Sequence, residues 1–167
     1  MLFLSIQSSK SKKMIKDLVN INLNESKVEG LDVHIIKKYI VRTSLDESFT
    51  TENLSILLIK AGTFKVQIQQ SIEDLSPWDL LVLPHNSLCQ ILEVHEKLQL
   101  FIISFSSDFA FKNCLKKELV ESFYFFIRNK PIKIALEERE FLVLSLVYKL
   151  IYFVSRDSNS KGIDYEL

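Results

Sequence analysis

The sequence predicts a mostly β protein, a barrel or sandwich of short strands followed by two α-helices. Three observations carry that expectation. Between Val33 and Ser106, six or seven short apolar runs succeed one another, separated by brief turns. In Thr63–Gln70 the residues alternate strictly, with Phe64, Val66 and Ile68 on one side and Lys65, Gln67 and Gln69 on the other. That is the period of a strand with one buried face. Beyond Asp108 the period changes: Phe111, Leu115, Leu119, Phe123 and Phe126 recur at three and four, placing them on one face of a helix.

Taken in order, residues 1–28 are polar and lysine-rich, with Lys10, Lys12, Lys13 and Lys16 as a solvated cluster and a short helix over Met14–Val19 after Ser11. Val33–Thr43 is rich in β-branched residues and reads as the first strand. Leu45–Asn53 is a turn-rich connection, and Ser55–Lys60 is the next strand, closed by a turn at Gly62. Thr63–Gln70 follows, then a turn at Ser76-Pro77-Trp78-Asp79 and an apolar strand, Asp79–Leu83, ended by Pro84. Leu88–His95 and Leu98–Ser106 complete the strands. The first helix starts near Asp108, behind two serines suited to capping it. Pro131 separates it from a second helix over Leu136–Ser155, whose first turn carries Glu137, Glu138 and Glu140 at the positive end of the dipole. This second helix is apolar on two sides: Phe141, Leu144, Tyr148 and Ile151 on one, Val143, Val147, Leu150 and Val154 on the other. Either it is sandwiched within the domain or one face meets a partner chain. The first of these faces is the expected dimer interface.

Composition narrows the function classes. The chain has 167 residues, 47% hydrophobic and 25% charged, with 21 basic side chains balanced by 21 acidic ones. This suits one soluble domain with a full core and does not suit a free-standing nucleic-acid binder, which needs a basic face to neutralise phosphates. Cys89 and Cys114 make neither a disulfide framework nor a metal spacing, and are expected to be buried and reduced. The start, MLFLSI, precedes its lysines, the reverse of a secretory signal. The apolar run Phe141–Val154 is broken by Ser145 and Lys149 and is too short to span a bilayer. A cytoplasmic protein with no membrane partner is expected. With three glycines in the chain there is no phosphate-cradling loop, and no nucleophile–base pair or paired carboxylates stand out, so no catalytic residue is assigned.

The succession of apolar strand, Gly62, alternating strand, Leu75-Ser76-Pro77-Trp78-Asp79, apolar strand and Pro84 resembles the cupin-type N-terminal domain of AraC family regulators. In that family a glycine commonly stands where this chain has Trp78. Phe101–Phe109 is similar to the family's last barrel strand running into its first linker helix. The resemblance covers about residues 45–155 and implies a cupin-like (double-stranded β-helix) barrel followed by two helices that serve dimerisation. It also implies a helix-turn-helix domain, which these residues do not contain.

Metal-dependent cupins hold their ion with histidines and a carboxylate. Alignment on Gly62 and Pro84 places Phe49, Thr51, Ser55 and Leu88 at those positions, so the resemblance implies a metal-free barrel without cofactor. His34, His85 and His95 lie elsewhere. The same four residues would line an apolar hollow with two hydroxyls, suited to a small apolar effector; filling by Phe49 and Leu88 would instead make the barrel solid. The expected organisation is an arm (1–28), a cupin-like barrel (29–107) and a helical dimerisation and linker segment (108–167) of the same domain. The chain looks cut at Ile163–Leu167. The implied function is effector sensing and dimerisation for an AraC-type transcription regulator, reaching DNA only through the missing domain. A stand-alone, metal-free cupin-like binding protein is the alternative. A metal-independent isomerase is a third reading, for which no inward acid–base residues are found.

Overall fold

Among the described residues, eight strands pair into two antiparallel sheets: β1 (Leu31–Ile36), β2 (Ser48–Thr50), β3 (Leu54–Ala61), β4 (Phe64–Ile68), β5 (Ser71–Leu75), β6 (Asp79–Leu83), β7 (Leu88–Val94) and β8 (Gln99–Phe105). A computed structural model describes residues 28–37, 48–95, 97–113, 116–127 and 130–156. The lysine-rich arm with its Met14–Val19 helix, the 38–43 end of the first predicted strand, Cys114, Leu115, the side chains of Phe123 and Phe126, and residues 157–167 lie outside the described residues. One sheet has the order β1-β8-β3-β6 and the other β2-β7-β4-β5. Strands of successive hairpins thus alternate between two facing sheets, which is the connectivity of a jelly roll. A ninth strand, β9 (Ile132–Ala135), extends the first sheet beyond β6.

Strand parity sorts the apolar residues into two cores. Odd positions of β3 and β6 (Leu57, Ile59, Leu81, Leu83) and even positions of β4 and β8 (Val66, Ile68, Leu100, Ile102) fill the space between the sheets. The opposite parity of the first sheet (Leu58, Leu80, Val82, Phe101, Ile103) forms a second core under the C-terminal helix α3 (Glu138–Arg156). That double burial explains why Asp79–Leu83 reads as a continuous apolar run: all five residues are buried.

The segment after β8 holds α1 (Ser107–Asn113), α2 (Lys117–Ile127) and α3 (Glu138–Arg156). Ser106 caps α1, its Oγ accepting the Phe109 N–H at 3.1 Å. The single helix expected beyond Asp108 is two helices. Asn113 ends α1, its side-chain amide donating back to Phe109 O at 2.8 Å. In α3, Glu140 Oε2 accepts the Glu137 N–H at 2.9 Å, one half of a capping box.

Three strands depart from expectation. β2 lies within the predicted connection, short enough to be hidden among turn residues, and pairs with β7 through Phe49 and Cys89. β5 falls where no strand is predicted. Its hairpin with β4 turns on Gln69-Gln70, with Gln69 at φ 53°, and two glutamines carry none of the asparagine–glycine signal such a turn normally shows. β9 occupies the gap assigned to Pro131; Ile132 and Ile134 supply the β-branched content, but only β6 gives the segment a ladder.

At the β5–β6 turn, Trp78 adopts φ 74°, the left-handed conformation that favours glycine. Asp79 N–H donates to Ser76 O (3.0 Å), and Asp79 Oδ2 accepts the Ser76 N–H at 2.8 Å. Asp79 is buried and pairs with Lys133 of β9 at 3.2 Å.

Candidate functional site

Two regions hold the residues singled out from the sequence: the barrel end around the β6–β7 turn, and α3. At the barrel end, Phe49 is buried in the inter-sheet core beside Cys89, its partner in the ladder. Ser55 has the inward parity of Leu57 and Ile59, and its Oγ lies 2.8 Å from Ser104 Oγ, which shares the inward parity of Leu100 and Ile102. These two hydroxyls form a buried polar pair at the edge of an otherwise apolar interior. Ser104 escaped the sequence reading, although its place in the alternation of Gln99–Phe105 is a signal that could have found it.

Thr51 is buried but already occupied. Its Oγ1 donates to Pro84 O at 2.7 Å and accepts the Ser87 N–H at 2.9 Å. Backbone bonds between Thr51 and Ser87 (3.1 Å) and Asn86 (2.6 Å) complete a clamp between the β2–β3 link and the β6–β7 turn. Leu88 is turned away from the interior. It is 54% exposed on the outer face of its sheet because Cys89 and Ile91 take the inward parity. Phe49, Ser55 and Ser104 are therefore brought together, Thr51 is committed to the clamp, and Leu88 is not part of the group.

Burial is the dominant influence on the two perturbed groups nearby. It pushes the Cys89 thiol up to about 12. It likewise raises the Tyr148 phenol above the ordinary tyrosine value. His34 is buried on β1, whereas His85 and His95 are exposed in the turns flanking β7. Among the described residues no three histidine, cysteine, aspartate or glutamate side chains gather as a metal set, and no helix is long and apolar enough to cross a membrane.

In α3 the expected dimer residues are turned inward. Phe141 and Tyr148 are buried, and Leu144 and Ile151 pack against the second core. The Tyr148 ring lies 5.7 Å from that of Phe101, and its hydroxyl donates to Ile56 O at 3.2 Å. The opposite face carries Leu142, Val143, Leu146, Val147, Leu150, Phe153 and Val154, each between 42% and 68% exposed. Seven large apolar side chains on one helix face exceed the scattered exposure normal for a soluble surface. One of the two apolar faces is packed against the domain's own sheet, and the other is exposed.

The pairing order, the inter-sheet core and the trailing helices settle the architecture. The chain has the cupin-like jelly-roll fold. Among solved structures it is similar to ToxT from Vibrio cholerae, a regulator of the AraC family, with 16% identity over 72% of this chain and 48% of ToxT and a TM-score of 0.46. A ToxT structure with an unsaturated fatty acid bound matches at 14% identity over 75% of this chain and 47% of that one, TM-score 0.45. Oxalate decarboxylase from Bacillus subtilis matches at 12% identity over 84% of this chain and 33% of the enzyme, TM-score 0.36. The chain spans about half the length of the ToxT structures it matches. No family model matches the sequence, and no curated protein matches it significantly. At these identities the likeness is one of fold.

Proposed function

We propose that this chain is the effector-sensing and dimerising domain of an AraC-type transcription regulator, controlling a helix-turn-helix domain attached beyond Leu167. The observation that carries the reading is the bare apolar face of α3. A helix already seated on its own barrel by Phe141 and Tyr148 still offers Val143, Leu146, Leu150 and Phe153 to another surface. The Ser55–Pro84 sequence pattern supports the family assignment. In this reading the protein is cytoplasmic and not an enzyme, and a small apolar effector sits between the sheets near Phe49, with its polar end at Ser55 and Ser104. The unsaturated fatty acid in the ToxT structure makes such a lipid the first probe to try.

The dimer is tested by sedimentation equilibrium on the wild type and on the pair Leu146→Lys/Leu150→Lys. We expect a wild-type dimer and a folded, monomeric variant; a wild type monomeric at high micromolar concentration removes the dimer from the reading. The effector is tested by thermal shift with a cis-unsaturated fatty acid, since a ligand that binds only the folded state raises its melting temperature. No shift at saturating lipid removes that lipid as effector and leaves the dimer untouched. The attached domain is tested by reading the gene past the codon for Leu167: two helix-turn-helix units support it, and an immediate stop leaves a stand-alone binding protein.

A further inference from the structure

We infer that the Ser76–Asp79 turn is a latch that transmits the packing of the barrel interior to α3, with Trp78 as its positioning residue. Trp78 is the last rung of two ladders. Its N–H donates to Ile59 O at 2.8 Å on the β3 side, and its carbonyl accepts the Leu136 N–H at 3.2 Å on the β9 side, two residues before α3 begins. Its ring stacks on Phe141 in the first turn of α3, with centroids 6.2 Å apart and planes inclined by 30°. One residue therefore ties a strand whose Ile59 side chain is wholly buried in the barrel core to the helix that closes the second core.

The backbone at this point is strained. A φ of 74° disfavours any residue with a Cβ, and a residue stays there only when its surroundings over-determine it. Here the two hydrogen bonds and the ring contact do so. Glycine would adopt the turn without strain but would leave Phe141 without its partner. Next to the anchor, the β3–β8 ladder shifts register between Ile59 and Ala61, so the strand is already irregular where Trp78 holds it. A small movement of β3 at Ile59 reaches the first turn of α3 through one peptide unit and one ring, a path separate from the bond of Tyr148 to Ile56 O further along the helix. Lys133, which pairs with Asp79 and also donates to Asp74 O, fastens β9 to the same turn. The latch stands on contacts within one chain. Only its consequence, a change in how α3 presents its bare face, rests on the dimer reading.

Amide hydrogen exchange on the intact chain tests it. In Trp78→Gly, exchange at the amides of residues 141–148 should speed up by about tenfold or more, while amides of β3, β4 and β6 keep their wild-type rates. Trp78→Phe should restore most of the protection, because it keeps a ring against Phe141. Unchanged α3 exchange in Trp78→Gly overturns the proposal, and so does equal loss in barrel and helix, which would make the turn an ordinary contributor to global stability. Ile59→Val then tests transmission: it should alter α3 exchange in the wild-type background and not in the Trp78→Gly background. The same effect in both backgrounds, or none in either, overturns the relay. If Trp78→Gly does not fold, Phe141→Leu carries the same expectation for α3. Sedimentation of the same variants separates the two readings, since a monomeric wild type leaves every exchange result above standing.

Discussion

Gly62 lies in the turn between β3 and β4 at φ +75°, and a Cβ built there would stand 2.8 Å from Leu98 Cα and 2.9 Å from Leu98 N. Backbone atoms cannot swing aside as a side-chain tip can. Gly62→Ala should therefore cost about 1–3 kcal/mol, from the left-handed conformation together with the clash, seen as a lower urea midpoint with an unchanged slope. Cys89 permits a prediction about pH. Its folded thiol is pushed up to about 12 from its ordinary value of 9.0, so folding favours the protonated form. The stability this contributes is fully present below about pH 9 and is lost as the pH rises toward 12, because the unfolded thiol ionises first. In a Cys114→Ser background, Cys89 should resist a thiol reagent at about pH 8 while folded and react at once in denaturant. Rapid labelling of the folded protein would place Cys89 outside the core. Ser55 and Ser104 behave as a pair: Ser55→Ala strands the Ser104 hydroxyl and costs about 1–3 kcal/mol, Ser104→Ala costs less because Ser55 Oγ keeps its 3.3 Å bond to Asn53 O, and the double change should cost less than the sum of the two. Additive costs in a denaturant double-mutant cycle would show that the hydroxyls are not coupled.

Among the elements, α3 matters most because its two faces have different work. Tyr148→Phe keeps the ring against Phe101 and removes the hydroxyl from Ile56 O, a loss of about 1 kcal/mol by chemical denaturation. Substitutions on the outer face, such as Leu150→Lys, should leave monomer stability within about 0.5 kcal/mol, since no packing is removed. A large loss there would mean that the outer face is buried by this same chain. At this scale, legibility followed pattern strength. Thr63–Gln70 alternates so strictly that β4 was evident, and Asp79–Leu83, bounded by a turn and a proline, was placed with its ends intact. β5 and β9 were not legible. Ser71–Leu75 has only moderate apolar content and an unmarked turn, and Ile132–Ala135 becomes a strand because β6 has a free edge for it. Phe141, Leu144, Tyr148 and Ile151 share one face of α3, as their spacing predicts, but amphipathic spacing does not say which of two apolar faces meets the barrel.

Across the whole molecule, two sheets enclose one core and the first sheet shares a second core with α3, so a single contiguous sheet serves both sides. If the bare face of α3 pairs two copies, the melting temperature should rise with protein concentration in the wild type and lose that dependence in Leu146→Lys/Leu150→Lys. A wild-type melting temperature that does not depend on concentration would contradict it.

The sequence by itself determined the strand-then-helix order, the turns at Gly62 and Ser76–Asp79, the buried character of Cys89 and the double apolar nature of α3, because each of these is written in local spacing and turn chemistry. Only the tertiary structure decided parity and partnership. It turned Leu88 outward and Ser104 inward, committed Thr51 to a clamp, and gave Trp78 its left-handed place under Phe141. These depend on which strand lies beside which, and residues far apart in sequence set that through the shared burial of both faces of one sheet.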